Sequence, residues 1–160
     1  MARSIRTIIS NCVVALAVGG YAHGALAGEF EAPLTACLSN GTAIGGVNSC
    51  GKIWKLKSGK AELKANGKLT VHVKGLVLND ASVGKFNGSP DGVDAVAAAV
   101  ICHGPSGAAV AAQLDPVPLS KTGDAKAEGK VDLKGCVGPV IVLRERYEGK
   151  IGGWLAGTGM

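Results

Sequence analysis

The fold class is decided by the stretch Lys60-Ala-Glu-Leu-Lys-Ala-Asn-Gly-Lys-Leu-Thr-Val-His-Val-Lys74. At its centre lies an Asn-Gly pair, and such a pair between two alternating runs is the strongest short-range signal for a β-hairpin. In the second run every other residue is apolar (Leu69, Val71 and Val73), so these side chains lie on one face of a strand and the polar ones on the other. The stretch therefore predicts an antiparallel hairpin with one buried face.

Short β-prone runs separated by turn residues continue along the rest of the chain. Residues 95–102 carry no charge, which favours a strand buried on both faces, although the alanines there would also allow a short helix. Residues 107–113 follow as its hairpin partner, and residues 79–94 are rich in turn residues and predict a surface loop. Further strands are predicted within 124–133, 140–143 and 151–155. Seven or eight strands at roughly ten-residue spacing predict a single all-β domain, an antiparallel sandwich or barrel, and we favour an Ig-like β-sandwich.

The first 27 residues have the pattern of a cleavable secretion signal. Arg3 and Arg6 form a positive start, residues 7–20 are mostly apolar and uncharged, and Ala25-Leu-Ala27 supplies small residues before a cut at Gly28. The apolar run is shorter than the roughly 20 residues that span a bilayer. We therefore expect residues 1–27 to be a signal peptide and residues 28–160 to be a secreted or periplasmic domain without a transmembrane segment. Within that domain, residues 28–35 are predicted to be an N-terminal arm.

Cleavage would also change the net charge of the mature protein. It would remove two of the 17 basic residues and none of the 12 acidic ones, which leaves a net charge of +3. The remaining lysines are spread along the chain, as on a solvated surface. Few aromatic residues remain, so the chain has no stacking platform for nucleic-acid bases. We expect no nucleic-acid partner.

Four cysteines would remain after cleavage, and an even number in an exported domain predicts two disulfides. Three pairings are possible, and we favour Cys37–Cys50 with Cys102–Cys136 because the members of each pair are closest in sequence. A zinc site would need closely spaced ligand pairs such as C-x-x-C, which this sequence lacks. Disulfides are therefore preferred to zinc.

His72 and His103 would be the two histidines of the mature chain. His103 adjoins Cys102, but neighbouring residues on a strand point to opposite faces and cannot share a proton. Ser106, in Gly104-Pro-Ser-Gly107, lacks the spacing of a nucleophile elbow. We therefore predict no enzyme, no catalytic residue and no cofactor. A mononuclear copper or zinc site that uses His103, with or without His72, remains an alternative.

Oxygen-bearing side chains in the predicted surface loop permit a further alternative. Asn79, Asp80, Asp91 and Asp94 have the ligand chemistry of a Ca²⁺ site. Asp and Asn also occur in turns because their side chains bond to the nearby backbone, and we favour that interpretation. Two sequons, at Asn40 and Asn87, would be glycosylated only in a eukaryotic source.

Four stretches between about residues 58 and 156 resemble the CHRD (chordin-type) domain. They are Gly59-Lys-Ala-Glu-Leu63, Leu69-Thr-Val-His-Val-Lys-Gly-Leu76, His103-Gly-Pro-Ser-Gly-Ala108 and Gly149-Lys-Ile-Gly-Gly-Trp-Leu155. The family's Glu-Val-Pro-Pro opening is absent, and the last stretch lacks the family's Glu and Arg. The resemblance implies an all-β sandwich outside the cytoplasm that acts as a binding or structural module and has no catalytic residue.

These observations lead to one functional hypothesis with two alternatives. The leading hypothesis is an exported, non-enzymatic binding or structural module with an unknown extracellular or periplasmic protein partner. The first alternative is the metal-binding sandwich that uses His103, with or without His72. The second is a self-assembling structural subunit, because strands rich in alanine and glycine with little charge can pair edge to edge.

Overall fold

The computed structural model describes residues 29–38, 41–90 and 92–159. These residues are mostly β-structure, as predicted, with one short 3₁₀ helix at Ala81–Phe86. The predicted secretion signal, its cleavage site, Asn40 and Asp91 lie outside the described residues. The strands are β1 Phe30–Ala36, β2 Trp54–Lys55, β3 Ser58–Leu63, β4 Lys68–Lys74, β5 Val77–Leu78, β6 Ala95–Gly104, β7 Gly107–Gln113, β8 Val117–Pro118, β9 Ala125–Lys130, β10 Val137–Tyr147 and β11 Lys150–Thr158.

Strands β3 and β4 form the predicted hairpin, with Leu63 paired to Leu69. Lys64 N donates to Lys68 O at 2.9 Å, and Gly67 N donates to Lys64 O at 2.9 Å. Gly67 has a φ of +82°, the left-handed conformation that glycine adopts without strain. The Asn66 side chain accepts a bond from Lys68 N at 3.0 Å, so both residues of the Asn-Gly pair shape the turn.

One curled antiparallel sheet contains all strands except β2 and β5. Its order is β7-β6-β10-β11-β1-β3-β4-β9, with β8 also beside β6. Strand β1 joins the two halves, because residues 30–33 pair with β3 and residues 34–36 pair with β11. Pro33 lies at the change of partner, where its missing N–H donor disturbs the ladder least. The segment expected to form an N-terminal arm thus contributes a strand inside the sheet, and β8 and β9 contact each other where the sheet curls round.

Strand β6 is the centre of the core. Ala95–Cys102 is buried on both faces, which confirms the predicted strand and excludes the short helix. One face lies in the interior, and the segment of residues 41–53 approaches the other at Gly45, where an added β-carbon would lie 2.4 Å from Ile101 Cγ2 and 3.3 Å from Ala109 N of β7. This covering segment is held by a bond from Trp154 N to Asn48 O at 2.9 Å. Burial of both faces explains why the run has no charge.

Strands β2 and β5 form a separate two-stranded ladder in which Trp54 pairs with Leu78. Gly75, with a φ of +65°, turns the chain out of β4, so β5 does not extend the hairpin strand but pairs elsewhere. Residues 79–90 and 92–94 run mostly over the surface, as predicted, with the 3₁₀ helix inside them.

Candidate functional site

Both predicted disulfides are present. Cys37 bonds to Cys50 and Cys102 bonds to Cys136, with Cα–Cα distances of 6.1 and 5.1 Å. The first closes the segment that covers the outer face of β6, and the second ties β6 to the residues before β10. Because the sulfur of Cys102 is already bonded, this cysteine has no thiol to act as a nucleophile beside His103.

The structure does not bring the two histidines together. His72 lies on the exposed face of β4, opposite Lys60 on β3 and Lys126 on β9. His103 lies near the end of β6, whose neighbours are β7, β8 and β10. The strands of the two histidines are therefore not neighbours. In the described part of the chain, no group of three or more His, Cys, Asp or Glu side chains is placed to hold a metal ion.

The aspartates of the surface loop have local partners. Asp80 accepts a bond from Ser82 N at 2.8 Å and begins the 3₁₀ helix, and its pKa is lowered by this contact with Ser82. Asp94 binds the guanidinium of Arg146, whose hydrogen bond also lowers the pKa of the Asp94 carboxyl. These two contacts agree with the interpretation of the loop acids as turn and ion-pair residues.

An uncharged surface lies at one edge of the sheet. Residues 95–114 contain no Asp, Glu, Lys or Arg, and they form the β6–β7 hairpin. Strand β7 is the last strand in the order at this end and is hydrogen-bonded on one side only. We call β7 together with the exposed turn of residues 104–107, which contains Ser106, the β7 edge.

Exposed apolar side chains accompany the β7 edge. Val110 is 36% exposed and lies opposite Ile101 of β6. Val137, at the start of β10, is 68% exposed and lies opposite His103. Residues 135–143 also carry no charge, so the uncharged surface extends across β6 onto β10.

A β-bulge limits the regular part of this edge strand. Val100 pairs with Ala112 and Ile101 pairs with Val110, which leaves Ala111 as an extra residue. A bulge of this kind bends the strand and interrupts its ladder. The segment with regular spacing is therefore Gly107–Val110.

The opposite edge of the sheet is charged. Strand β9 carries Lys126, Glu128 and Lys130. The Glu128 carboxylate binds Lys68 Nζ at 2.7 Å and Lys126 Nζ at 3.0 Å, and the two lysines lower its pKa to about 2. Charged side chains on an edge strand discourage pairing with another sheet. The protein thus carries charged side chains on one edge strand, whereas β7 itself carries none and is reached by the Arg144 guanidinium of β10 at its last residue, Gln113, at 2.8 Å.

The sequence alone indicates strands able to pair edge to edge, but it does not show which strand lies at an edge. The signal that marks it is the charge-free run of residues 95–114, which is longer than one buried strand requires. Half of that run is the buried strand β6, and the other half is the exposed strand β7.

The chain was compared with family models, curated proteins and solved structures, and none of them matches. Among the described residues, no helix has both the length and the apolar character needed to cross a membrane.

Proposed function

We propose that this chain is an exported, non-enzymatic module that assembles outside the cytoplasm by pairing its β7 edge with the β7 edge of a second copy. The observation that carries the proposal is the contrast between the two edges of the sheet. An exposed edge strand without charge or proline is a template for another strand, and natural proteins usually block such strands. Here β9 is blocked by charge, whereas β7 is blocked only by the bulge at Ala111.

The geometry favours a symmetric antiparallel pair of β7 strands. A twofold axis beside the middle of Gly107–Val110 would place Gly107 opposite Val110 of the second copy and Ala108 opposite its Ala109, so that no charges meet. The outward N–H and C=O groups of the two strands would bond to each other, and Val110 would lose exposed apolar surface. Because the regular segment is short, we expect a weak dimer that forms at high local concentration, as in a surface layer.

Export is supported by the secretion pattern of residues 1–27 and by the two disulfides. Disulfides persist in oxidising compartments and are rare in the cytosol. Mass spectrometry of protein recovered from the periplasm or medium would test this part. A mature chain that begins at Gly28 supports export, and an uncleaved chain retained in the cytoplasm contradicts it.

The finer fold proposed is a CHRD-type sandwich. The four stretches that resemble that domain lie on β3, on β4, in the β6–β7 hairpin and on β11. The change of partner within β1 divides the sheet into two parts, β3-β4-β9 and β7-β6-β10-β11. This division is what a sandwich with one shared strand would have.

The assembly is tested by sedimentation equilibrium of the mature protein from about 10 μM to about 1 mM, the range in which weak pairs form. We expect a monomer–dimer equilibrium that Val110→Lys abolishes, because the lysine would place a charge within the regular segment of the edge strand, where charged side chains oppose pairing. Phe86→Lys is the matched control, since Phe86 is similarly exposed (39%) but lies in the 3₁₀ helix. It should leave the equilibrium unchanged.

Two results would overturn the proposal. A wild-type protein that stays monomeric over the whole range has no functional β7 pair. Equal loss of dimer in Val110→Lys and Phe86→Lys would show that added charge, and not the β7 edge, controls association. A hydrolase activity abolished by Ser106→Ala would contradict the non-enzymatic part.

A further inference from the structure

A groove of about 360 Å³ lies around Gly75, and none of its lining residues belongs to the β7 edge. Residues 55–57 form one wall, Gly75 and Val77 form the floor, residues 121–122 form the other wall, and Gly88 completes the lining. Its volume lies within the range of pockets that bind small molecules.

The groove is basic. Lys55, Lys57 and Lys121 line it, and all three are exposed. Within the described residues none of them has a carboxylate partner, whereas Lys60, Lys64, Lys68 and Lys126 on the charged sheet face are all in ion pairs. Four lysines of the sheet are thus neutralised by carboxylates, whereas the three lysines of the groove are left available.

One carboxylate borders the groove, and its oxygens are already used. Asp124 Oδ1 accepts from Gly75 N at 2.9 Å, and Oδ2 accepts from Thr122 Oγ1 at 3.0 Å. These bonds, with that from Gly75 the larger cause, lower the pKa of the Asp124 carboxyl. Asp124 therefore holds the walls together and offsets one of the three positive charges.

The walls are fixed before any ligand arrives. Ser120 Oγ accepts bonds from Asp124 N at 2.9 Å and from Thr122 N at 3.3 Å, which closes the turn that carries Lys121. Leu76 N donates to Gly123 O at 2.9 Å, and Lys57 N donates to Lys74 O at 3.0 Å, so both walls are bonded to the same corner. A preformed site loses less entropy when a ligand binds.

We propose that this groove binds a small organic anion of sugar size that carries a phosphate or sulfate ester. The three ammonium groups would surround the ester oxygens, since lysine binds phosphate as a point charge. The partly apolar surface of Leu56 and Val77 would contact the carbon skeleton, which is why an ester fits the groove better than a free inorganic ion. This binding does not depend on the β7 edge.

The test is a titration of ¹⁵N-labelled mature protein, followed by NMR, with glucose 6-phosphate, glucose 6-sulfate and glucose. We expect saturable shifts at residues 55–57, 75 and 121–122 with a dissociation constant of about 1 mM or lower for at least one ester, and none for glucose. Binding should weaken as salt rises, because exposed charges are screened. Saturation by one ester alone identifies the ester the groove selects.

The matched control separates the groove from the overall charge. Lys55→Gln, Lys57→Gln and Lys121→Gln combined should weaken binding at least about tenfold. The combination Lys60→Gln, Lys64→Gln and Lys68→Gln removes the same number of charges from the ion-paired sheet face and should change binding less than about twofold. Val110→Lys, which addresses the β7 edge, should also leave binding intact.

Three outcomes would overturn the proposal: no saturable shift with either ester, equal shifts with glucose, or equal losses in the two triple variants. Should the groove triple variant fail to fold, as judged by circular dichroism, Lys121→Gln alone serves. Its lysine lies in an exposed turn, and a loss of less than about twofold would then count against the groove.

Discussion

A β-carbon on Gly67 would lie 2.3 Å from the carbonyl oxygen of Val131. The two residues are also joined by a bond from Val131 N to Gly67 O at 2.9 Å. The turn of the β3–β4 hairpin and the chain leaving β9 therefore meet backbone to backbone. Gly67 therefore has two roles: it makes the hairpin turn, and its lack of a β-carbon lets the chain that leaves β9 pack against that turn.

Gly67→Ala should be strongly destabilising. The new methyl group would clash with the Val131 carbonyl, and alanine would be forced to a φ of +82°. We expect the free energy of unfolding to fall by about 3 kcal/mol or more, measured by urea denaturation. Gly149→Ala is the control, because Gly149 has a similar φ of +77° but no atom within 4 Å of its added carbon. Its cost should be about 1 kcal/mol, and equal losses in the two variants would show that the contact with Val131 is unimportant.

Glu148→Asn should stabilise the protein. Tyr147 pairs with Lys150, and both residues between them have positive φ: 49° at Glu148 and 77° at Gly149. This is a two-residue type I′ turn, for which Asn-Gly is the preferred sequence. We expect the free energy of unfolding to rise by about 0.5–1 kcal/mol. Glu148→Ala removes the same charge without favouring positive φ, so an equal gain there would assign the effect to charge.

The local parts of the fold could be predicted from the sequence. The β3–β4 hairpin follows from an Asn-Gly turn and period-two alternation, which act within fifteen residues. Strand β6 follows from a run without charge, because charge is excluded from a strand buried on both faces. The two disulfides could also be predicted, because each joins the pair of cysteines that lie closest in the sequence.

The non-local parts could not be predicted. Residues 28–35 contain Pro33 and two glutamates, which are typical of an exposed arm. The structure nevertheless places β1 between β3 and β11, because the backbone of β1 forms hydrogen bonds with both of these distant strands. Lys57 and Lys121 line the same groove although they are distant in sequence, because the segments that carry them are both hydrogen-bonded to the residues on either side of Gly75. Strand order likewise decides which strand is an edge, and the charge-free run of residues 95–114 marks β7 without giving its place in that order.

Removal of either disulfide should destabilise the domain, and the longer loop should matter more. Cys37→Ala with Cys50→Ala opens a loop with a sequence separation of 13, and Cys102→Ala with Cys136→Ala one of 34. Chain entropy predicts losses of about 3 and about 4 kcal/mol, measured by urea denaturation. A larger loss for the first pair would contradict the entropic argument and would show that the covering of β6 by residues 41–53 dominates.

The pH dependence of stability should contain a contribution from Glu128. Its carboxylate accepts from Lys68 and Lys126, and these bonds lower its pKa from 4.5 to about 2 in the folded protein. A lowered carboxyl pKa means that the contribution is complete above pH 4.5 and is lost as the pH falls toward 2.

We therefore expect the stability difference between wild type and Glu128→Gln to shrink over that acid range and to stay constant above it. The pKa itself should be visible in an NMR titration of the Glu128 carboxyl carbon. Lys68→Gln combined with Lys126→Gln should return the midpoint toward 4.5, because both hydrogen-bonding cations are gone. Lys121→Gln is the control, since this lysine lines the groove and has no contact with Glu128. A midpoint that stayed near 2 in the double variant would mean that another group holds the carboxylate, and the assignment of the charged edge to these two lysines would be wrong.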